Sequence, residues 1–204
     1  MKIWTSCKNK FDISPDKFGE LRSSNDLLNT PSKLRQRITE DGYLLLRGLL
    51  DREKVKAARD ELLIKMNRNG SVDDNYLTRE GVDLDTKNKV DQANLRNGIA
   101  VRNLTQRGEM IDFYDQFFGE PTRAFDFIWV RAVNVGTATG CHYDWVYMGR
   151  GSKQLHTSWT PLMDVSKIDG SLAILKGSHQ FKKLISTYGS IDVDDEQSNQ
   201  QFGG

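Results

Sequence analysis

The sequence has 204 residues, in which 29 Lys and Arg residues nearly balance 28 Asp and Glu residues for a formal net charge of +1. This length suits one domain with one hydrophobic core, and the charge balance argues against a broad nucleic-acid-binding surface. No apolar run approaches the roughly 20 residues of a membrane-spanning helix, so we expect no membrane contact. Two distant cysteines, Cys7 and Cys141, exclude a disulfide scaffold and a cysteine zinc cluster. The first residues lack a signal-peptide pattern, and we therefore expect a cytoplasmic protein.

The first part of the chain begins without clear periodicity. Residues 1–30 are interpreted as an irregular arm laid over the domain. Pro31 and Ser32 favour the start of a helix, and residues 41–42, Asp-Gly, favour its end. Its inward-facing positions are predicted to be Leu34, Ile38 and Arg35. Residues 43–49 form a short apolar run next to glycines, which is typical of a buried strand.

Two longer amphipathic helices are predicted next. The first follows Asp51, a good N-cap residue, and ends at residues 69–70, Asn-Gly. The apolar positions on its one face, which we expect to pack on a sheet, are Val55, Ala58, Leu62, Leu63 and Met66. Residues 71–98 are polar and aperiodic, which indicates a long loop or a lid over a site. The second helix covers residues 105–118, and its inward positions are Met110, Phe113, Tyr114 and Phe117.

From Pro121 onward the sequence is rich in β-branched and aromatic residues, which favour strands. The candidate strands cover residues 125–135, 142–147, 155–162 and 171–175. Helices followed by a run of short strands indicate an α+β fold in which helices pack against a β-sandwich or jelly roll. We interpret the chain as a single domain with the arm over 1–30, a helical layer over 31–120 and jelly-roll strands over 121–204.

The residues that most suggest chemistry are His142 and Asp144, which are separated by Tyr143. In a strand, residues i and i+2 point to the same face, so the imidazole and the carboxylate would lie side by side. Such a pair supplies two of the three ligands of the 2-His-1-carboxylate facial triad, which binds ferrous iron. The alternative is a surface histidine beside a surface aspartate, and the motif by itself leaves both interpretations open.

Two further blocks follow this motif in order. Trp159 lies in residues 155–164, LHTSWTPLMD, and residues 169–179 read DGSLAILKGSH. Together with the His-x-Asp motif, these blocks resemble the H-x-D, W-x-P-L-x-D and G-x-L-x-x-x-x-G-S-H pattern of the phytanoyl-CoA dioxygenase family. Residues 39–51 also resemble the opening of that family, so the resemblance covers most of the chain from about residue 31.

The resemblance implies a double-stranded β-helix core (jelly-roll, cupin-like) with flanking N-terminal helices. It also implies an iron(II)/2-oxoglutarate-dependent dioxygenase that uses oxygen to hydroxylate a small molecule or an acyl thioester. By matching positions, His142 and Asp144 are the first two iron ligands, and Trp159 lies beside 2-oxoglutarate. The alternative for Trp159 is a core aromatic residue on a strand. Arg131 could reach a carboxylate of cosubstrate or substrate, or could be a surface arginine.

Two residues of the family pattern have no match in this sequence. The family places a second histidine ligand well after the G-S-H block, followed by an arginine that binds 2-oxoglutarate. No histidine follows His179, and no arginine follows Arg150. His179 is therefore the fallback third ligand, with a locally hydrogen-bonded turn histidine as the alternative, whereas His156 is expected to point away from Trp159. We expect a jelly roll that is incomplete at the C-terminus.

The sequence leaves two functions open. The first is an oxygenase, or the N-terminal part of one. The second is a non-catalytic jelly-roll binding module that has lost the third iron ligand and recognises a small ligand or another protein. Fold alone does not separate them, because function resides in the site.

Overall fold

A computed structural model describes residues 3–6, 9–68, 95–131, 139–167 and 169–195 of the chain. The strands and α-helices are, in chain order, β1 (Ile3–Ser6), β2 (Asn9–Asp12), α1 (Pro31–Asp41), α2 (Arg52–Arg68), α3 (Ile99–Gln106), α4 (Glu109–Phe118), α5 (Trp145–Met148) and α6 (Lys182–Ser186). Short 3-10 helices lie at Asn25–Leu27, Ser178–Gln180 and Tyr188–Ser190. Within the described ranges, no helix combines the length and the apolar character needed to cross a bilayer.

The N-terminal residues contain a β-hairpin, where the sequence predicted an irregular arm. Strands β1 and β2 pair antiparallel, with Trp4 opposite Phe11. The Trp4 ring also packs edge-on against Phe18, with ring centroids 5.1 Å apart. The prediction was wrong for this segment because short strands depend on cross-strand and tertiary contacts, which local periodicity does not reveal.

Helix α1 begins and ends where the sequence predicts. Pro31 lies in its first turn, where the missing N–H costs no helical hydrogen bond. Gly42 follows the helix in the left-handed conformation, with φ of 79°, and its N–H donates to the Ile38 carbonyl at 2.8 Å. Glycine adopts this conformation without a steric penalty, which explains the sharp end of the helix.

The buried face of α1 differs in one position from the prediction. Leu34 is buried and Ile38 is half-buried, as expected. The buried arginine is Arg37 rather than Arg35. Nη1 of Arg37 donates to the Ser23 carbonyl at 3.0 Å, which gives the buried guanidinium a partner that the helical pattern alone could not indicate.

The predicted apolar face of α2 is confirmed. The Asp51 carboxylate caps the helix, since it accepts a hydrogen bond from the Lys54 N–H at 3.0 Å. The predicted end of the helix at residues 69–70 lies outside the described residues. The side chains of the apolar face are buried at Ala58, Leu62, Leu63 and Met66 and half-buried at Val55.

The face of α2 packs against a helix rather than against the predicted sheet. The shared core consists of Ala58, Leu62, Met66, Leu95, Val101 and Leu104. Val101 and Leu104 are three residues apart on α3 and therefore present a matching apolar stripe to α2. Leu95 falls within the predicted loop, residues 71–98, and its burial corrects that prediction at this position. Residues 71–94 lie outside the described residues.

The single helix predicted over residues 105–118 is instead divided between α3 and α4. Gly108 separates them with φ of 54°, a conformation that L side chains rarely adopt. The predicted inward face of α4 is confirmed, since two of its side chains are buried and two are half-buried. Met110 and Phe117 are buried, and Phe113 and Tyr114 are half-buried.

The strands predicted at residues 43–49, 125–135, 142–147, 155–162 and 171–175 are absent from the described residues, and 132–138 lie outside them. Pairing in the described part of the chain consists of the β1–β2 ladder and a single parallel bridge between Ser23 and Leu45. A strand requires a neighbour for its N–H and C=O groups, and a period-two pattern does not specify that neighbour. The described fold thus combines helices with a hairpin and does not contain the predicted double-stranded β-helix.

Burial nevertheless alternates over residues 127–130, as it would in a strand. Ile128 and Val130 are half-buried and pack against the α2–α3 core. Phe127 and Trp129 face outward and are exposed, and Phe125 and Asp126 before them are exposed as well. This period of two indicates an extended segment with one face on the helical core.

Candidate metal centre

His142 is oriented by a backbone carbonyl two residues before it in the chain. Its Nδ1 lies 2.7 Å from the carbonyl oxygen of Gly140. A carbonyl only accepts hydrogen bonds, so Nδ1 carries the proton and donates it. Nε2 is therefore the nitrogen available to a proton or a metal ion, as in metal-binding histidines whose second nitrogen donates to a carbonyl.

Asp144 lies next to that nitrogen. Its Oδ1 is 3.2 Å from Nε2 of His142, and its Oδ2 accepts a hydrogen bond from the Thr157 hydroxyl at 2.8 Å. Asp144 precedes α5, but its side chain makes no capping hydrogen bond to that helix. The two oxygens of the carboxylate are thus assigned to different neighbours.

A turn, rather than a strand, brings His142 and Asp144 together. Asp144 has helical backbone angles, φ −60° and ψ −27°, and its carbonyl accepts a hydrogen bond from the Tyr147 N–H at 3.0 Å. The prediction of one strand was wrong because residues 145–148 close a helical turn that ends at Gly149. The expected distance of a few ångströms between the two side chains is confirmed. The backbone between them forms a turn instead of the predicted strand.

The chemistry of this donor pair fits a divalent transition metal. Two ligand atoms about 2.1 Å from one ion and at right angles lie about 3 Å apart, close to the 3.2 Å between Nε2 and Oδ1. Both ligands also have the outer hydrogen bond that orients metal ligands in proteins, to Gly140 and from Thr157. Without a metal, the same two atoms can share a proton as a His142–Asp144 ion pair.

One tyrosine ring packs against His142, and two further tyrosines pack against each other. The Tyr147 ring lies edge-on to the His142 ring, with centroids 6.1 Å apart. Tyr143 donates its hydroxyl to a backbone carbonyl at 2.6 Å and packs against Tyr188, with centroids 5.9 Å apart. Burial raises the pKa of Tyr188, and the negative charge of Asp144 contributes to the same shift. The phenol of Tyr188 therefore stays neutral beside the carboxylate.

The segment that carries Thr157 docks on α4. The His156 ring packs edge-on against the Phe118 ring, with centroids 5.2 Å apart, and Ser158 Oγ lies 2.7 Å from the Tyr114 hydroxyl. Burial lowers the pKa of His156 and raises that of Tyr114. His156 and Ser158 thus contact α4, whereas Thr157 between them contacts Asp144.

Trp159 and Arg131, the predicted cosubstrate-binding residues, are both exposed. Trp159 is two residues from Thr157, so its Cα lies within about 7 Å of the residue that contacts Asp144. Arg131 is the last residue of the described range 95–131, and no described contact joins it to His142 or Asp144. The structure brings Trp159 towards the pair by chain proximity and leaves Arg131 without a demonstrated link to it.

His179, the fallback third ligand, contacts the end of helix α1. Its Nε2 lies 3.0 Å from the Thr39 carbonyl at the end of α1. The other side of the ring packs against Gly42, where a Cβ would overlap the imidazole. Among the described residues, no group of three His, Cys, Asp or Glu side chains is placed to hold a metal ion. The described contacts therefore hold His179 at the end of α1 and do not bring it to the pair. Its backbone partner is 140 residues away in the chain, so the hydrogen bond is not the local one of the alternative interpretation.

Thr157 contacts the pair, although its sequence context does not predict a role there. A threonine between two blocks of a motif carries no obvious chemical signal. The available signal was the alternation of the segment, because a residue opposite His156 and Ser158 points away from α4. Its hydroxyl then meets whatever lies on that side, which here is the carboxylate of Asp144.

Comparison with known proteins gives a family and two relatives. The sequence model described as phytanoyl-CoA dioxygenase (PhyH) matches residues 38–199. A 1-deoxypentalenic acid 11-beta-hydroxylase of Streptomyces arenae is 26% identical over 172 residues, which cover 81% of this chain and 60% of the relative. The enzyme of the same description from Streptomyces exfoliatus is 27% identical over 161 residues, which cover 76% of this chain and 56% of the relative. The matched part of the chain therefore spans less than two thirds of the length of these curated relatives.

Proposed function

Because the chain belongs to the phytanoyl-CoA dioxygenase family, we propose that it carries the metal-binding pair of an iron(II)/2-oxoglutarate-dependent dioxygenase. The observation that carries this proposal is the 3.2 Å approach of His142 Nε2 to Asp144 Oδ1. Both side chains belong to the H-x-D motif. A hydrogen bond at Nδ1 orients His142, and a hydrogen bond at Oδ2 orients Asp144. The proposed reaction is the oxygen-dependent hydroxylation of a small molecule or an acyl thioester.

The residues of this chain have distinct roles in the proposed site. Gly140 keeps the proton on Nδ1 of His142, and this leaves Nε2 for the metal. The Thr157 hydroxyl donates a hydrogen bond to Oδ2 of Asp144, and this leaves Oδ1 for the same ion. Metal binding displaces any proton that Nε2 and Oδ1 share. When bound, iron and 2-oxoglutarate supply the oxygen-activating chemistry of the family.

Trp159 and Arg131 are proposed as cosubstrate-binding residues. Trp159 follows Thr157 by two residues and has a large exposed surface, which supports a place for it beside 2-oxoglutarate. Arg131 is an exposed guanidinium, the side chain best suited to bind a carboxylate through two hydrogen bonds. Its role is to bind a carboxylate of the cosubstrate or the substrate.

The proposed scaffold is the jelly roll that the family implies. The alternating burial of residues 127–130 supports it, because a strand with one face on the helical core has this pattern. Amide hydrogen exchange of residues 127–130 is a direct test, because backbone N–H groups paired in a sheet exchange slowly. Exchange at the rate of unprotected peptide would contradict a paired strand there.

The test of the proposed function is anaerobic calorimetry of 2-oxoglutarate binding. We expect heat of binding only after Fe²⁺ has been added, since the cosubstrate binds the metal. His142→Ala and Asp144→Asn should abolish that heat, whereas Lys56→Ala, an exposed position on α2, should leave it unchanged. Binding without the metal, or binding that survives both ligand substitutions, would contradict the proposal and favour a non-catalytic binding module.

A further inference from the structure

Three consecutive residues connect the metal-binding pair to helix α4. His156 packs on the aromatic side chains of α4, and Ser158 lies 2.7 Å from the Tyr114 hydroxyl. Thr157, between them, donates its hydroxyl to Oδ2 of Asp144 at 2.8 Å. The segment therefore contacts the helix on one side and the carboxylate on the other.

Asp144 needs such a contact to present a single oxygen to the pair. Its carboxylate is partly exposed and does not cap α5, so neither burial nor a helix N-terminus fixes its rotation. Rotation about its side-chain bonds is broad in the absence of a hydrogen-bonding partner. The Thr157 hydroxyl binds one oxygen and leaves the other 3.2 Å from Nε2 of His142.

The position of the Thr157 hydroxyl is fixed by the two residues next to it in the chain. The residues on both sides of it are attached to α4, a helix whose Met110 and Phe117 are buried. The His156 ring contacts the Phe117 and Phe118 rings, with centroids 5.4 Å and 5.2 Å away, respectively. Through these contacts, helix α4 sets the position of the Thr157 side chain that binds Asp144.

From this arrangement we infer that Thr157 is a positioning residue for the metal centre. It acts through Asp144 by holding Oδ2, so that Oδ1 and Nε2 of His142 bind the same ion. This inference rests on the proposed function, because it assigns Thr157 to the metal site proposed there. Removal of such an outer hydrogen bond typically costs about 10- to 100-fold in metal affinity.

The experiment is a titration with Co²⁺ alone, followed by visible absorption, which reports the ligands around the ion. Thr157→Val removes the hydroxyl at nearly constant volume, and Thr157→Ser retains it. Thr39→Val is the matched control, because the Thr39 hydroxyl bonds to the Arg35 carbonyl within α1. Urea unfolding of each variant, measured without metal, separates loss of fold from loss of metal binding.

We expect Thr157→Val to weaken Co²⁺ binding by about 10- to 100-fold and to alter the spectrum at saturation. Thr157→Ser and Thr39→Val should bind and absorb like the wild type. Equal affinity and an unchanged spectrum for Thr157→Val would overturn the role of Thr157 while leaving the metal site intact. A wild-type chain that binds no Co²⁺, or binds it equally well after His142→Ala, would overturn the proposed site itself. If Thr157→Val does not fold, Thr157→Ala takes its place as the variant that lacks the hydroxyl. Weaker Co²⁺ binding in Thr157→Ala than in Thr157→Ser supports the inference, and equal binding in the two variants overturns it.

Discussion

The carboxylate of Glu61, on α2, accepts a hydrogen bond from the backbone N–H of Ala100, on α3, at 2.7 Å. It also accepts hydrogen bonds from the N–H groups of Ile99 at 2.9 Å and Val101 at 3.1 Å. The first N–H groups of a helix have no partner within the helix, and the helix dipole favours a negative charge there. Glu61 thus caps α3 from a neighbouring helix and joins the two main elements of the core.

Replacement of Glu61 is expected to destabilise the fold. Glu61→Ala should lower the free energy of unfolding by about 1–2 kcal/mol, because three N–H groups lose their acceptor. Glu61→Gln should cost less, since the amide retains one accepting oxygen. Urea unfolding measures these changes, with exposed Lys56→Ala as the control on the same helix. An unfolding midpoint unchanged in Glu61→Ala would contradict the capping role.

Gly98 offers an independent test of the same contact. Its φ of −68° suits any residue, yet a Cβ at this position would overlap the Glu61 carboxylate. Gly98→Ala should therefore displace Glu61 and cost about 1–2 kcal/mol of unfolding free energy in the wild type. In the Glu61→Ala background the same change should cost almost nothing, so the double-mutant cycle should show a coupling of about 1–2 kcal/mol. Additive effects of the two substitutions would mean that the clash is not with Glu61.

The α2–α3 core should dominate stability. Leu104 is only 1% exposed and lies in the shared cluster, so Leu104→Ala should lower the free energy of unfolding by about 2–5 kcal/mol. Ile64→Ala is the control, because Ile64 lies on α2 but is 45% exposed, and it should change stability by less than about 0.5 kcal/mol. Similar losses from both substitutions would show that the core has been assigned to the wrong face of α2.

These contacts show what the sequence predicts well and what it does not. The apolar face of α2 and the glycine that ends α1 are predicted because helix periodicity and left-handed glycine are local properties. The element that packs against α2 is not predicted, because an apolar stripe packs equally well on a sheet or on a helix. His142 and Asp144 are identified by residue type and spacing, but their backbone path is a turn, which a spacing of two residues also permits. Thr157 is missed because its role arises only from the tertiary position of the segment between His156 and Ser158.

The pH dependence of stability should include a contribution from His156. Burial lowers the pKa of His156 in the folded chain, whereas an unfolded chain takes up the proton near pH 6.5. The unfolded state thus binds more protons once the pH falls below about 6.5, and stability decreases as the pH falls through that range. His156→Phe keeps an aromatic ring on α4 and removes the titration. The loss of stability between about pH 7.5 and about pH 5 should be smaller in this variant than in the wild type. An equal or larger loss in the variant would contradict burial as the cause of the shift.

The most direct measurement of the central claim is a titration with Mn²⁺, in which electron paramagnetic resonance counts the ions that remain free. We predict one bound ion per chain. His142→Ala and Asp144→Asn should each lose the site, because each removes one of the two ligand atoms that lie 3.2 Å apart. His179→Ala should bind as the wild type does, since the His179 ring contacts Thr39 and Gly42 instead. Binding that is unaffected by the first two substitutions but lost in His179→Ala would contradict the assignment of the metal centre to His142 and Asp144.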